Sequence, residues 1–233
     1  MSEFLSASPY FGVALTLVMF LIAVYVNRRW PGALTTPLFL ATILVVVFLT
    51  TFNIPYDAYN KGAQYITYFL VPVTVCFAVP MYRQLPLLKK HAPAILLAMA
   101  IGVAASVFSV CIICVLLGLG DIVARSLAAI SVTTAIAIGI TEKLGGVVAL
   151  TVSSVIVTGI LGASVSDLVC RKFGLTNPIA RGLAIGNASH AAGTTKAMEM
   201  GPVEGAMSSL AIVISGLMTA VAAPLIVGLF FGI

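Results

Sequence analysis

His190, Lys196 and Glu199 lie within ten positions of one another, in the stretch Arg-Gly-Leu-Ala-Ile-Gly-Asn-Ala-Ser-His-Ala-Ala-Gly-Thr-Thr-Lys-Ala-Met-Glu-Met-Gly-Pro-Val-Glu that runs from Arg181 to Glu204. Long apolar runs flank it on both sides. An ionised side chain at a bilayer centre costs at least ~2.5–3.5 kcal/mol, and lipid offers no hydrogen bonds. The stretch must therefore face protein or a water-filled cavity. Its side chains suit a short hydroxy- or ketocarboxylate, which needs one positive partner and several donors. Lys196 supplies the charge. Asn187, Ser189, Thr194 and Thr195, with backbone amides at broken helix ends, supply the donors. Gly186 and Gly193 are expected to break the helix and leave room for close backbone approach.

His190 shares a helical face with Gly186 and Gly193 at i−4 and i+3, and an imidazole near its ordinary pKa is a natural proton carrier. Each residue also has a plainer reading. Small and hydroxyl residues pack membrane helices against one another. Lys196 and Glu199 are i, i+3 and can neutralise each other, as a fixed pair or one that opens to substrate. His190 can be a hydrogen-bonded structural histidine. Glu204 can cap the last span, where a carboxylate near a helix N-terminus is favourable.

The elements that must hold these residues are membrane helices. The chain of 233 residues is 61% hydrophobic and 8% charged, against about 25% charged in soluble domains. An all-α polytopic membrane protein follows, a single integral membrane domain over 1–233. Spans are expected at 10–26, 34–52, 62–82 and 92–119, each long enough for ~30 Å of hydrocarbon. The first has no positive charge before it and no small-residue cleavage site after it, so it reads as a retained span rather than a signal peptide. Pro72 should kink or break the third. Further spans follow at 147–170 and 205–231, giving about six full crossings. Between them lie two broken or re-entrant polar segments, 122–143 and 181–204.

Arg28 and Arg29 follow the first span; Arg83, Lys89, Lys90 and His91 follow the third. The positive-inside rule puts those loops in the cytoplasm and the N-terminus outside, in a bacterial inner membrane. The net charge of +5 thus reports loops facing lipid headgroups, not nucleic-acid binding. Cys111 and Cys114 form a CxxC without further ligands, so the four cysteines read as small buried hydrophobes, and no metal or cofactor is expected.

The second half repeats itself. Ala124-Arg125-Ser126-Leu127-Ala128 matches Ala180-Arg181-Gly182-Leu183-Ala184, Glu142 matches Glu199, and Thr158-Gly159-Ile160 matches Ser215-Gly216-Leu217, at offsets of 56 or 57 residues. Residues 122–170 and 178–232 are thus candidate inverted repeats whose tips meet at mid-membrane, as in secondary transporters. Ser131, Thr133 and Thr134 of the first would then face the same cavity as Asn187–Thr195 of the second. Two fully crossing broken helices remain the alternative.

Gly182 to His190, Gly193-Thr194-Thr195-Lys196-Ala197-Met198-Glu199 and Glu204-Gly205-Ala206 resemble the signature of the LrgB/CidB family. Ser131-Val132-Thr133-Thr134, Gly145-Gly146 and Thr158-Gly159 match its earlier block, and Leu70-Val71-Pro72 with Ala78 to Arg83 its third span. The resemblance covers about residues 34 to 230. A lysine and a proline usually flank the Ser-Val-Thr-Thr block; here they are Ile130 and Ala135, so this chain lacks that lysine from the family's anion site. The resemblance implies one of two functions. Plant plastid members look like glycolate/glycerate transporters, and some bacterial members are linked to pyruvate. Other bacterial members are called holin- or antiholin-like, modulating murein hydrolase activity and autolysis with a small LrgA/CidA-type partner. The residues favour a proton-coupled secondary transporter of small monocarboxylates. The holin-like alternative adds a homo-oligomer and has no need of a saturable site. An enzyme is not expected: no His-Glu-x-x-His, Gly-x-Ser-x-Gly or Walker A motif is present.

Overall fold

The computed structural model describes residues 10–30, 35–69, 72, 75–76 and 78–232, and the described elements are helical. By contacts the chain forms two compact units, Met1–Cys76 and Phe77–Ile233.

The first unit holds α1 (Phe11–Arg29), α2 (Pro37–Thr51) and α3 (Tyr56–Thr67). Phe11, Leu15, Ile54 and Ala58 form its core. Gly12 lets α1 close on the Tyr59 carbonyl, and the hydroxyls of Thr16 and Tyr59 meet at 2.8 Å. The break expected in the third span falls mostly on residues 70–71, 73–74 and 77, which lie outside the described residues; Pro72 itself is helical and exposed.

The second unit holds α4 (Ala78–Arg83), α5 (Leu85–Leu116), α6 (Asp121–Leu127), α7 (Thr134–Leu144), α8 (Val148–Lys172), α9 (Pro178–Met200) and α10 (Pro202–Phe231). The basic segment expected as a loop at 83–91 is instead mostly the start of α5. Pro86 sits in its first turn, where the missing N–H costs nothing, so the helix begins before the charges. Four described helices are long and apolar enough to cross a membrane: Phe11–Arg29, Lys89–Leu116, Val148–Lys172 and Pro202–Phe231. On α10, Leu217, Val221, Leu225 and Leu229 are 65–76% exposed at every fourth position. Such a stripe belongs against lipid rather than water.

Each polar segment is a hairpin. In the first, α6 enters, residues 128–133 are irregular, and α7 returns. Its base is fastened where the arms meet. Arg125 donates from Nη1 to the Leu144 carbonyl at 3.2 Å and pairs with Asp121 at 2.6 Å. Ser126 Oγ accepts from the Val147 amide at 2.7 Å, and the hydroxyls of Thr141 and Thr151 meet at 2.9 Å. Gly145, in the left-handed region at φ 70°, ends α7 so that Gly146 N can bond Thr141 O at 3.0 Å.

The second hairpin hides inside α9. Asn177 caps its start, with Oδ1 accepting from Ile179 N and Ala180 N, and Pro178 follows at the first helical position. At His190 the backbone leaves helical geometry, at φ 40° and ψ −131°. The chain reverses there. Gly182 and Gly186 press on Glu204 and Ser208 in ascending order along α10, whereas Thr194 bonds Ser208 and Met198 touches Gly205 in descending order. Ile185 and Ala197 belong to one packed cluster with Cys170; a straight helix would hold them about 18 Å apart at 1.5 Å per residue.

The two hairpins occupy opposite ends of α5, α8 and α10. The first packs Ala124 on Val110 and Cys114, and Ala128, Ala129 and Val132 with Val107, Val155 and Ala223. The second packs Leu183 on Ile95 and Met99 and Ile185 on Cys170. Cys111, Cys114 and Cys170 are buried as small core residues, while Cys76 is exposed. In a cysteine-free background, Ile185→Cys with Ala197→Cys should couple efficiently through a short bifunctional thiol reagent. A straight α9 would leave the pair unlinked.

Candidate functional site

The tips of the two hairpins fall on adjacent turns of α8. Val155 packs in the core of the first hairpin while its carbonyl accepts from His190 Nε2 at 3.1 Å. One turn on, a Cβ added to Gly159 would come within 2.5 Å of the His190 ring, and Gly162 lies under the Ser189 hydroxyl. On α5, Gly102 makes room for the Asn187 carboxamide, with Nδ2 2.6 Å from where its Cβ would be. Three glycines in apolar spans thus form the seat for Asn187, Ser189 and His190. The sequence reading missed Gly102 and Gly162 and used Gly159 only to align the repeats. An isolated glycine in such a span was the available signal for close approach.

Gly186 and Gly193 are not breaks. Both are helical: Gly186 admits Ser208 and Ala211 of α10, and Gly193 lets the two arms close on Ile185 and Ser189. His190 makes the break itself, despite carrying a Cβ, at a backbone cost of order 1–3 kcal/mol. Because the chain reverses there, Gly186 and Gly193 do not share a helical face with it.

The sequence-selected residues divide into two groups. Ser189 and His190 are buried at the tip, with Asn187 partly buried beside them. Asn187 Oδ1 and the buried Ser131 Oγ have no hydrogen-bond partner among the described residues, and neither does Thr219 Oγ1 on α10, a residue the sequence did not single out. Thr133 is the N-cap of α7 and makes no side-chain cap bond; Thr133 and Thr134 are partly exposed. The others are engaged or turned outward. Thr194 is committed to Ser208 Oγ at 2.7 Å and the His190 carbonyl at 3.0 Å. Thr195 is exposed and bonded to Ala191 O. Lys196 pairs with Glu199 at 2.8 Å, with side chains 32% and 63% exposed.

The arginines that marked the repeat both stand at hairpin bases. Arg125 ties α6 to the end of α7, and Arg181 stands 3.8 Å from both Asp167 and Glu204. Glu204 is buried in the first turn of α10 with its carboxylate over Gly201, the end of the helix expected for it, though Gly201 is the N-cap and no side-chain cap bond is made there.

A helical bundle with an apolar exposed face and two opposed hairpins bearing unpartnered polar atoms at their tips defines a polytopic membrane protein. The LrgB-like family model matches residues 16–229, and the chain belongs to that family. It is 40% identical to "Uncharacterized protein YwbG" of Bacillus subtilis (strain 168) over 210 residues, 90% of this chain and 93% of that one. It is 39% identical to "Antiholin-like protein LrgB" of Bacillus cereus (strain B4264) over 219 residues, 94% of this chain and 95% of that one. A Bacillus anthracis (strain CDC 684 / NRRL 3495) protein of the same name matches equally. No solved structure matches the chain.

Inside a helix, alanine is more stable than glycine by ~1 kcal/mol. At a reversal with positive φ the order inverts. His190→Gly should therefore unfold at a higher temperature than His190→Ala, in detergent or lipid. A more stable alanine variant would place the break elsewhere.

Proposed function

We propose that this chain is an antiholin-like membrane protein that modulates murein hydrolase activity and autolysis together with an LrgA/CidA-type partner. The observation that carries this reading is the match to relatives named antiholin-like at 39% identity across 94% of the chain. The residues 1–233 would form one integral membrane domain of about six full crossings, with the two hairpins as re-entrant segments. The N-terminus would lie outside the bacterial inner membrane, and Lys89, Lys90 and the 171–181 segment in the cytoplasm.

A second reading rests on the hairpin tips. Ser131 Oγ and Asn187 Oδ1 lack partners in an apolar interior, and an unsatisfied buried polar atom costs about 1–3 kcal/mol unless a ligand or water meets it. The return arms also begin there, so first-turn amides point toward the interior. This arrangement suits a small monocarboxylate of the glycolate, glycerate, lactate or pyruvate class, carried with a proton. Lys196 joins that site only if its pair with Glu199 opens.

Both readings are tested with the purified full chain and with cells lacking it. The antiholin-like reading expects faster detergent-induced autolysis without the chain, restored restraint with Lys196→Gln, and no saturable uptake of labelled glycolate, lactate or pyruvate into vesicles. Saturable uptake, driven by an acidic exterior and lost with Asn187→Leu and with Lys196→Gln, would establish the transport reading instead. Autolysis unchanged by loss of the chain would remove the first.

A further inference from the structure

Between α5 and the entering arm of α9 runs a cavity of about 590 Å³. Ile95, Met99 and Leu183 form its buried floor, and the small residues Ala98 and Ala184 stand exposed on its two walls. His91 and Asn177 lie at one end, Gly102 and Asn187 at the other. His91 to Gly102 spans about 16 Å of α5 at 1.5 Å per residue, close to the depth of one leaflet in a hydrocarbon core of ~30 Å. The slot is apolar over that depth.

The chain leading into its outer end is basic on both sides. Lys89 and Lys90 precede His91 on the first turns of α5 and are exposed; Arg171 and Lys172 end α8 shortly before Asn177. From residue 78 to 120 and from 168 to 198 the sequence holds no carboxylate. The nearest in sequence, Asp167, is engaged with Arg171 and Arg181. A transmembrane helix is about 10–12 Å across with its side chains. An acyl chain needs far less width, and a basic pocket between helices at the cytoplasmic surface suits an anionic headgroup.

We propose that this slot holds one acyl chain of an anionic phospholipid, with its phosphate at Lys89, Lys90 and His91. The proposal rests on the membrane embedding given above but not on either choice of function. The lipid would seal the open side of the second hairpin, between its entering arm and α5, and so tie the position of Asn187 to the composition of the cytoplasmic leaflet.

Native mass spectrometry of the detergent-purified full chain, offered equal phosphatidylglycerol and phosphatidylcholine, tests it. One phosphatidylglycerol should be retained in preference. Lys89→Gln and Lys90→Gln should each lower that preference by roughly fivefold, whereas Lys143→Gln should leave it unchanged. Ala98→Phe should abolish retention of both lipids by filling the slot; if that variant does not fold, Ala184→Leu on the opposite wall takes its place. Equal retention of the two lipids, or retention undiminished by the slot-filling variant, overturns the proposal. Loss of a dimer mass in that variant with lipid retention unchanged would make a second copy the occupant and overturn it equally.

Discussion

A backbone that turns round inside an apolar protein must find partners for the groups its helix no longer satisfies, and the structure depends on how that is done at His190. The residue adopts φ 40°, a region unfavourable for a side chain with a Cβ. Its ring is held by the Val155 carbonyl at 3.1 Å and seated over Gly159. The same imidazole thus closes the turn and anchors it to α8. A glycine would make the turn without that anchor, and most other side chains would leave the Val155 contact unmade.

Around this point the second unit is built twice. Each half has an entering arm, a break, a returning arm and a long helix. In each, an arginine on the entering arm secures the base: Arg125 to Leu144 O, Arg181 beside Glu204. The position after each arginine touches the start of the following long helix, Ser126 against the N-cap Val147 and Gly182 against Glu204 in the first turn. A hydroxyl pair then joins each returning arm to that helix, Thr141 with Thr151 and Thr194 with Ser208. Because the arms are short and their bases tied, the tips are held by the three long helices rather than by one another. That leaves Ser131 and Asn187 unpartnered at the centre of the unit.

Much of this was legible in the sequence because apolar length and charge spacing are strong signals. The 147–170 and 205–231 spans appear as α8 and α10 with shifted ends, and the Arg125–Arg181 correspondence marked the two hairpin bases. The Lys196–Glu199 pairing followed from i, i+3 spacing, and the structure makes it. What escaped was backbone chemistry carried by an unusual residue. Gly186 and Gly193 looked like breakers, yet they serve close packing, since flanking helices approach them from α10 and from the opposite arm. A histidine in the left-handed region leaves no pattern in composition. The basic residues after the third span looked like a loop because charge is the usual mark of one, whereas Pro86 opens a helix that carries them.

The central claim is that two tied hairpins enter one bundle from opposite ends and meet at the Val155–Gly159 turns of α8. Thiol labelling from each side of intact membranes, in a cysteine-free background, tests it most directly. Lys143→Cys at the mouth of the first hairpin should label only from outside, and Gly201→Cys at the mouth of the second only from the cytoplasm. Labelling of both from the same side would contradict the opposed arrangement and with it a shared centre for the two tips.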